Sequence, residues 1–104
     1  MIANNLTPYE PTHPGEILRE EIECRGITQT HLAKELGMKV SLLNELVNGK
    51  RDFTIEYAMM LEAALGIDSD FWINLQTDYS KAKARRDSTF MARLANIRRV
   101  AAAL

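Results

Sequence analysis

At 104 residues, with 46% apolar and 26% charged side chains, the chain has the size of one domain with a small core. No apolar run approaches the ~20 residues that a membrane span needs, and a single cysteine, Cys24, excludes an internal disulfide and suits a reducing, cytoplasmic setting. The formal charge of −1 conceals a division, because residues 1–80 carry 6 basic and 13 acidic side chains whereas residues 81–104 carry 7 basic and 1 acidic. A basic tail of this kind tracks phosphates, meets an acidic partner or forms a solvated helix face.

Residues 1–12, with Pro8 and Pro11, read as an extended N-terminal arm without the basic flank and apolar stretch of a signal peptide. His13-Pro14-Gly15-Glu16 begins the first helix. Proline suits the first helical position, and Glu16 can reach back to the amide of the cap residue. Ile17, Leu18 and Ile22 face inward, Glu20, Glu21 and Glu23 mostly outward, Cys24 is expected half-buried, and Gly26 ends the helix. Thr28 is a cap for a second helix, Gln29 to Leu36, in which Leu32, Ala33 and Leu36 share one apolar face. Gly37 ends it in a left-handed turn. A third helix from about Lys39 to Val47 repeats the pattern with Leu43, Leu46 and Val47. Ala33 is small where the two backbones must approach. This is the spacing of a helix-turn-helix, which leaves the outer face of its second member free to enter a major groove.

Asn48-Gly49-Lys50-Arg51 then breaks the chain with turn residues. Thr54 caps a fourth helix whose apolar faces come from Ile55, Ala58, Met59, Leu61, Ala64 and Leu65. Gly66 stops it, and Ile67 tucks back. Asp68-Ser69-Asp70 opens a fifth helix carrying Phe71, Trp72, Leu75 and Tyr79. From Ser88, the recurrence of Phe90, Leu94, Ile97, Val100 and Leu104 predicts a sixth helix, frayed or dependent on a partner. The expected fold is all-α: an arm over 1–12, a helix-turn-helix domain over 13–80, and a basic amphipathic C-terminal helix or tail over 81–104.

The third helix carries the residues expected to touch DNA. Lys39, Val40 and Ser41 occupy its first turn, where a docked recognition helix approaches base edges. Asn44 can pair bidentately with adenine, and Val40 can pack on a thymine methyl. Asn48, Lys50 and Arg51, together with Gln29 and Thr30 at the start of the second helix, are better placed for the phosphate backbone. Glu45 argues mildly against, because an acid on this helix repels phosphate unless it faces away or accepts from a cytosine amino group. An enzyme is not expected. His13 and His31 are isolated, with no metal-ligand spacing, His31 and Glu35 form a surface pair, Cys24 has no nucleophile signature, and there is no glycine-rich phosphate loop. No catalytic residue, cofactor or metal is assigned.

Phe71, Trp72, Leu75 and Tyr79 are core or a dimer seam. Core is the better reading for one or two of them, and a share of this face is expected at a dimer interface, where tryptophan and tyrosine are favoured. The tail from Phe90 to Leu104 extends that seam, holds a partner or packs on the core.

Gln29, Leu32, Ala33, Leu36, Gly37, Leu43, Leu46 and the Asn48–Arg51 turn resemble the Xre/Cro-type repressor family, and so the lambda-repressor-like five-helix fold. More narrowly, His-Pro-Gly-Glu-Ile-Leu at 13–18, Gly-Ile-Thr-Gln at 26–29 and Phe-Trp-Ile-Asn-Leu-Gln at 71–76 resemble the HigA-type antitoxins, also known as virulence-associated protein I. That resemblance, covering roughly residues 13–80, implies a homodimeric repressor binding a palindromic operator in double-stranded DNA upstream of its own operon. It also implies a partner, a small RelE-like (HigB) toxin that cleaves mRNA and is neutralised by the antitoxin. Many relatives have a small cap and then a basic or polar residue where this chain has Lys39 and Val40, so operator sequence does not carry over. The rival readings are a free-standing regulator without a toxin and a helix-turn-helix used only for protein contact.

Overall fold

The computed structural model describes residues 11–104, so all but the last two residues of the expected arm lie outside the described residues. Six helices follow in order: α1 (Pro14–Arg25), α2 (Gln29–Leu36), α3 (Val40–Val47), α4 (Ile55–Leu65), α5 (Ser69–Arg85) and α6 (Ser88–Ala102). The described residues contain no strand. Local chemistry sets most of these limits. Thr28, Thr54 and Asp68 each accept a backbone N–H of the first turn of the helix they precede, the bond that offsets one orphaned donor by about 1 kcal/mol. Gly26, Gly37 and Gly66 sit at the C-caps with φ of 66°, 69° and 74°, where a side chain would be strained.

The start of α1 is the tightest piece of the fold. His13 Nδ1 accepts the Gly15 N–H at 2.9 Å, and the Glu16 carboxylate accepts the His13 N–H at 3.3 Å, a reciprocal cap. Gly15 lies directly against the end of α3. A methyl group on it would stand 2.1 Å from the Leu46 carbonyl oxygen and 2.8 Å from that of Val47. Only glycine permits this approach.

α1 packs on α3 and α5, α2 on α3 and α4, and α4 on α5, around a core of Leu18, Ile22, Leu32, Ala33, Leu43, Leu46, Val47, Phe53, Ala58, Leu61, Leu65 and Trp72. The aromatic members form a stack: Phe53 lies over Trp72 with ring centroids 5.7 Å apart and 22° between planes, and Phe71 meets Trp72 edge-on at 5.2 Å. Gln76, buried beside them, ties α5 to the segment that follows α3. Its Oε1 accepts the Phe53 N–H at 2.8 Å, while Nε2 donates to Asp52 Oδ1 at 3.3 Å and Ser80 Oγ at 3.1 Å. Arg25 closes the other end, donating to the Leu65 carbonyl at 2.7 Å, where a cation complements the C-terminus of α4.

Four expectations are corrected. Trp72 is fully buried inside its own protomer, so it belongs to the core and is withdrawn from any dimer seam; Phe71 keeps 43% of its surface exposed, and Leu75 and Tyr79 are half-buried. Ile55 and Met59 are exposed, because the buried face of α4 is the Ala58, Leu61 and Leu65 stripe. Cys24 is exposed rather than half-buried, lying off the Leu18–Ile22 stripe of α1. The fifth helix also runs on to Arg85, past the division at residue 80. α6 then packs on α5 and buries none of its residues.

His13 is buried, edge-on to Tyr79 at 4.8 Å and to Phe53 at 6.0 Å. Burial pushes its imidazole below the usual range, more than the Asp52 and Glu16 carboxylates raise it, and Lys83 lowers it further. The unfolded chain therefore binds this proton more readily, so the stability that neutral His13 confers is complete above the unfolded pKa of about 6.5 and is lost as pH falls through and below that value. We expect thermal unfolding to show a Tm that declines from about pH 7 to pH 5, and His13→Ser, which keeps a capping oxygen without a titrating ring, to flatten this part of the profile.

Candidate nucleic-acid interface

α3 presents an exposed polar side, as its sequence requires: Leu43, Leu46 and Val47 are buried, and Val40, Ser41, Asn44 and Asn48 face solvent. The turn before it is set by Gly37 and by the Met38 N–H, which donates to the Ala33 carbonyl at 3.0 Å. Ala33 is buried at the junction, where its small side chain admits the backbone of the next helix. Lys39 caps α3 in an extended conformation, with no hydrogen bond from its side chain. The first bonds to its carbonyl come from Leu42 and Leu43 at 3.1 and 3.2 Å. The amides of Val40 and Ser41 thus begin the helix without a side-chain acceptor and face the same exposed end as Lys39.

A chain of side-chain hydrogen bonds crosses this face. Arg19 on α1 donates to Asn48 Oδ1. Asn48 Nδ2 donates to Asn44 Oδ1 at 3.0 Å, and Asn44 Nδ2 donates to Gln29 Oε1 at 3.1 Å. The relay runs in one direction: the oxygens of Asn48 and Asn44 accept while their nitrogens donate onward, and Gln29 Oε1 ends it. It fixes the orientation of Asn44 and leaves that amide one free N–H and one free lone pair at its exposed edge. Gln29, Asn44 and Asn48, separated by up to 19 positions in the chain, are thereby one surface. Arg19 is the residue that sequence reasoning missed; it lies 29 positions from its partner, and only its place one turn after Gly15 on α1 hinted at the contact.

The second cluster concerns charge. Glu45 is turned away from the Asn44 face and held by Arg51, whose Nε and Nη2 both donate to Glu45 Oε1 at 2.9 and 2.8 Å. That hydrogen bond and the carboxylate charge hold the Arg51 proton more firmly than usual. Arg51, expected on the phosphate backbone, is engaged within the protein. Lys50 is exposed beside it, its backbone N–H donating to the Glu45 carbonyl at 2.9 Å across the turn at Gly49, where φ is 73°. Thr30 is exposed at the start of α2. Phe71, Leu75 and Tyr79 lie on α5, and Tyr79 lines one cavity together with Arg19 and Asn48. His31 and Glu35, 3.5 Å apart, are both more than half exposed, the geometry of a surface pair.

Comparison with known proteins places the arrangement in context. A helix-turn-helix family model matches residues 18–72. Virulence-associated protein I of Dichelobacter nodosus is 41% identical over 76 residues, 72% of this chain and 70% of that one. Among solved structures, an addiction module antidote protein of the HigA family from Coxiella burnetii superposes with a TM-score of 0.72 at 34% identity, covering 78% of this chain and 89% of that one. Pseudomonas aeruginosa PA4674, solved in complex with its 18 bp operator DNA, gives 0.68 at 36% identity, over 71% and 81% of the two chains.

The Glu45–Arg51 pair yields a direct expectation. Glu45→Gln removes the carboxylate and releases the guanidinium, so affinity for duplex DNA of any sequence should rise and the slope of log K against log salt should steepen by about 1. Fluorescence anisotropy titrations at several salt concentrations measure both.

Proposed function

Because the chain belongs to the helix-turn-helix family, in the branch of virulence-associated protein I and the HigA-type antidotes, we propose that it is a sequence-specific DNA-binding antitoxin. It represses its own operon as a homodimer and neutralises a small RelE-like, mRNA-cleaving toxin in the cytoplasm. The observation that carries the DNA reading is the Arg19–Asn48–Asn44–Gln29 relay, which holds an asparagine amide in a fixed orientation on the exposed side of α3. The operator complex of PA4674 supports the same use of this fold.

In this mechanism two copies of α3 enter successive major grooves, about 34–36 Å apart on one face of a palindromic site. Asn44 reads adenine with its free N–H and lone pair, Val40 meets a thymine methyl, and Ser41 and Lys39 reach neighbouring base edges. Gln29, Thr30, Asn48 and Lys50 fix register on the phosphates, with the Val40 and Ser41 amides adding unpaired donors. Arg51 joins them only as far as its bond to Glu45 allows. Residues 13–80, with the remainder of α5, form the DNA-binding unit, and residues 86–104 are kept for protein contact. Phe71, Leu75 and Tyr79 supply the α5 side of the dimer. No helix among the described residues is long and apolar enough to cross a membrane.

Two experiments test this. Asn44→Ala should cost about 1–3 kcal/mol at the cognate operator and little on random duplex, whereas Lys50→Ala should weaken both alike and reduce the salt slope by about 1. Equal losses for Asn44→Ala on the two DNAs would remove it from the readers. Purification of the tagged chain from its host should recover a near-stoichiometric small protein encoded beside it. Recovery of the chain and its promoter DNA alone would instead assign it to free-standing regulators.

A further inference from the structure

α6 is a well-defined helix with an unfinished surface. Asp87 caps it, accepting the Phe90 N–H at 3.0 Å, and the two-residue link Arg86-Asp87 fixes its direction relative to α5. Over its 15 residues it buries no side chain, and Phe90, Ile97 and Val100 remain 40%, 54% and 56% exposed. A lone helix of this length is marginal in water, so its helicity calls for a surface that covers it. At 100° per residue Phe90, Leu94, Ile97, Ala101 and Leu104 fall on one stripe, with Arg93 along one edge and Arg98 along the other. Within the protomer its main packing among the described residues is on α5.

The complementary surface lies on the body of the same chain. A groove of about 300 Å³ between α1 and the start of α5 is lined by Ile17, Ile67, Phe71, Glu20, Glu21 and Cys24. The lining combines the apolar Ile17, Ile67 and Phe71 with the carboxylates of Glu20 and Glu21. Glu21 is met by Arg25 at 3.5 Å, whereas Glu20 has no ion pair among the described residues. The apolar stripe edged with arginines, of which Phe90, Leu94 and Arg98 also line a cavity against α5, thus matches in chemistry a groove that combines apolar side chains with carboxylates, and the excess of acid over residues 1–80 against base over residues 81–104 repeats this match at the scale of the whole chain. The groove contains none of the residues of α2 and α3 assigned to DNA.

We infer that α6 of one protomer lies in the α1–α5 groove of a second copy, the two copies exchanging their C-terminal helices reciprocally. The inference rests on the homodimer of the proposed function and extends the face of Phe71. It assigns to residues 88–102 the task of holding the dimer together, with arginines and glutamates fixing the partner and the apolar stripe supplying the burial.

Cys24, the chain's one cysteine, lines the groove and is exposed, so it reports on the occupant. Leu94→Cys, Ile97→Cys and Ala101→Cys, each introduced singly into the full chain and mildly oxidised, should include at least one that yields a covalent dimer joined between Cys24 and α6. Adding Cys24→Ser should abolish it, since a disulfide forms only where Cα atoms come within about 4.4–6.8 Å. In parallel, Arg93→Glu with Arg98→Glu should raise the dimer dissociation constant at least tenfold by sedimentation equilibrium. A stable dimer with no link from any α6 position to Cys24, and with the charge-reversed chain dissociating as the parent does, overturns the placement of α6 and leaves the homodimer standing. A chain that sediments as a monomer throughout the micromolar range overturns both.

Discussion

The contact on which the molecule depends is the backbone-to-backbone approach of Gly15 to the carbonyls of Leu46 and Val47. It brings the first turn of α1 against the last turn of α3 with no side chain between them, and so fixes where the exposed helix ends. Two further ties hold the same stretch of chain. Arg19 reaches Asn48 from the next turn of α1, and Gln76 grips Asp52 and Phe53 from α5. α3 is therefore anchored by its C-terminal end from two sides. Its N-terminal end is bare, with Lys39 providing no side-chain cap. A rigid rear and an open front are what a helix inserted by its first turn into a groove requires.

Charge is arranged by location rather than by total. Glu45, the acid that argued against DNA contact, is turned aside and bonded by Arg51, which removes one repulsion and occupies one cation. The acidic body and basic C-terminal segment would largely cancel if they met, and within the chain α6 packs on α5 across a two-residue link rather than on α1. In the proposed exchange of α6, the imbalance within one chain is resolved between two.

Boundaries were legible from single residues because caps and glycines act locally. Thr28, Thr54, Gly26, Gly37 and Gly66 all do what their chemistry dictates at their own positions. The buried sides of α2 and α3 were legible for the same reason, since a period of 3.6 fixes which residues share a face. Less legible was which part of an apolar face meets a neighbour. Ile55 and Met59 fit the helical pattern as well as Ala58 and Leu61 do, yet the packing of α4 on α2 and α5 leaves them exposed. Trp72 could be read as core or seam until Phe53 was found stacked on it. In the candidate site, the exposed residues of α3 could be named from spacing, but their coupling could not. Arg19 and Asn48 are 29 positions apart, and Phe53 and Gln76 23 apart, so each pair is made by the packing of whole helices rather than by local pattern.

The internal use of Arg51 reaches beyond the protein's own surface. A chromosome offers millions of sites that differ from the right one in sequence but not in phosphate charge, and a cationic binder is diluted among them. A chain of net charge −1, with one of its few arginines near α3 bound to its own glutamate, is expected to hold such competitors only briefly. Most copies then remain in solution rather than stored on the chromosome. Fewer molecules suffice to fill one operator, and when synthesis stops there is no reservoir on random DNA from which the operator is refilled.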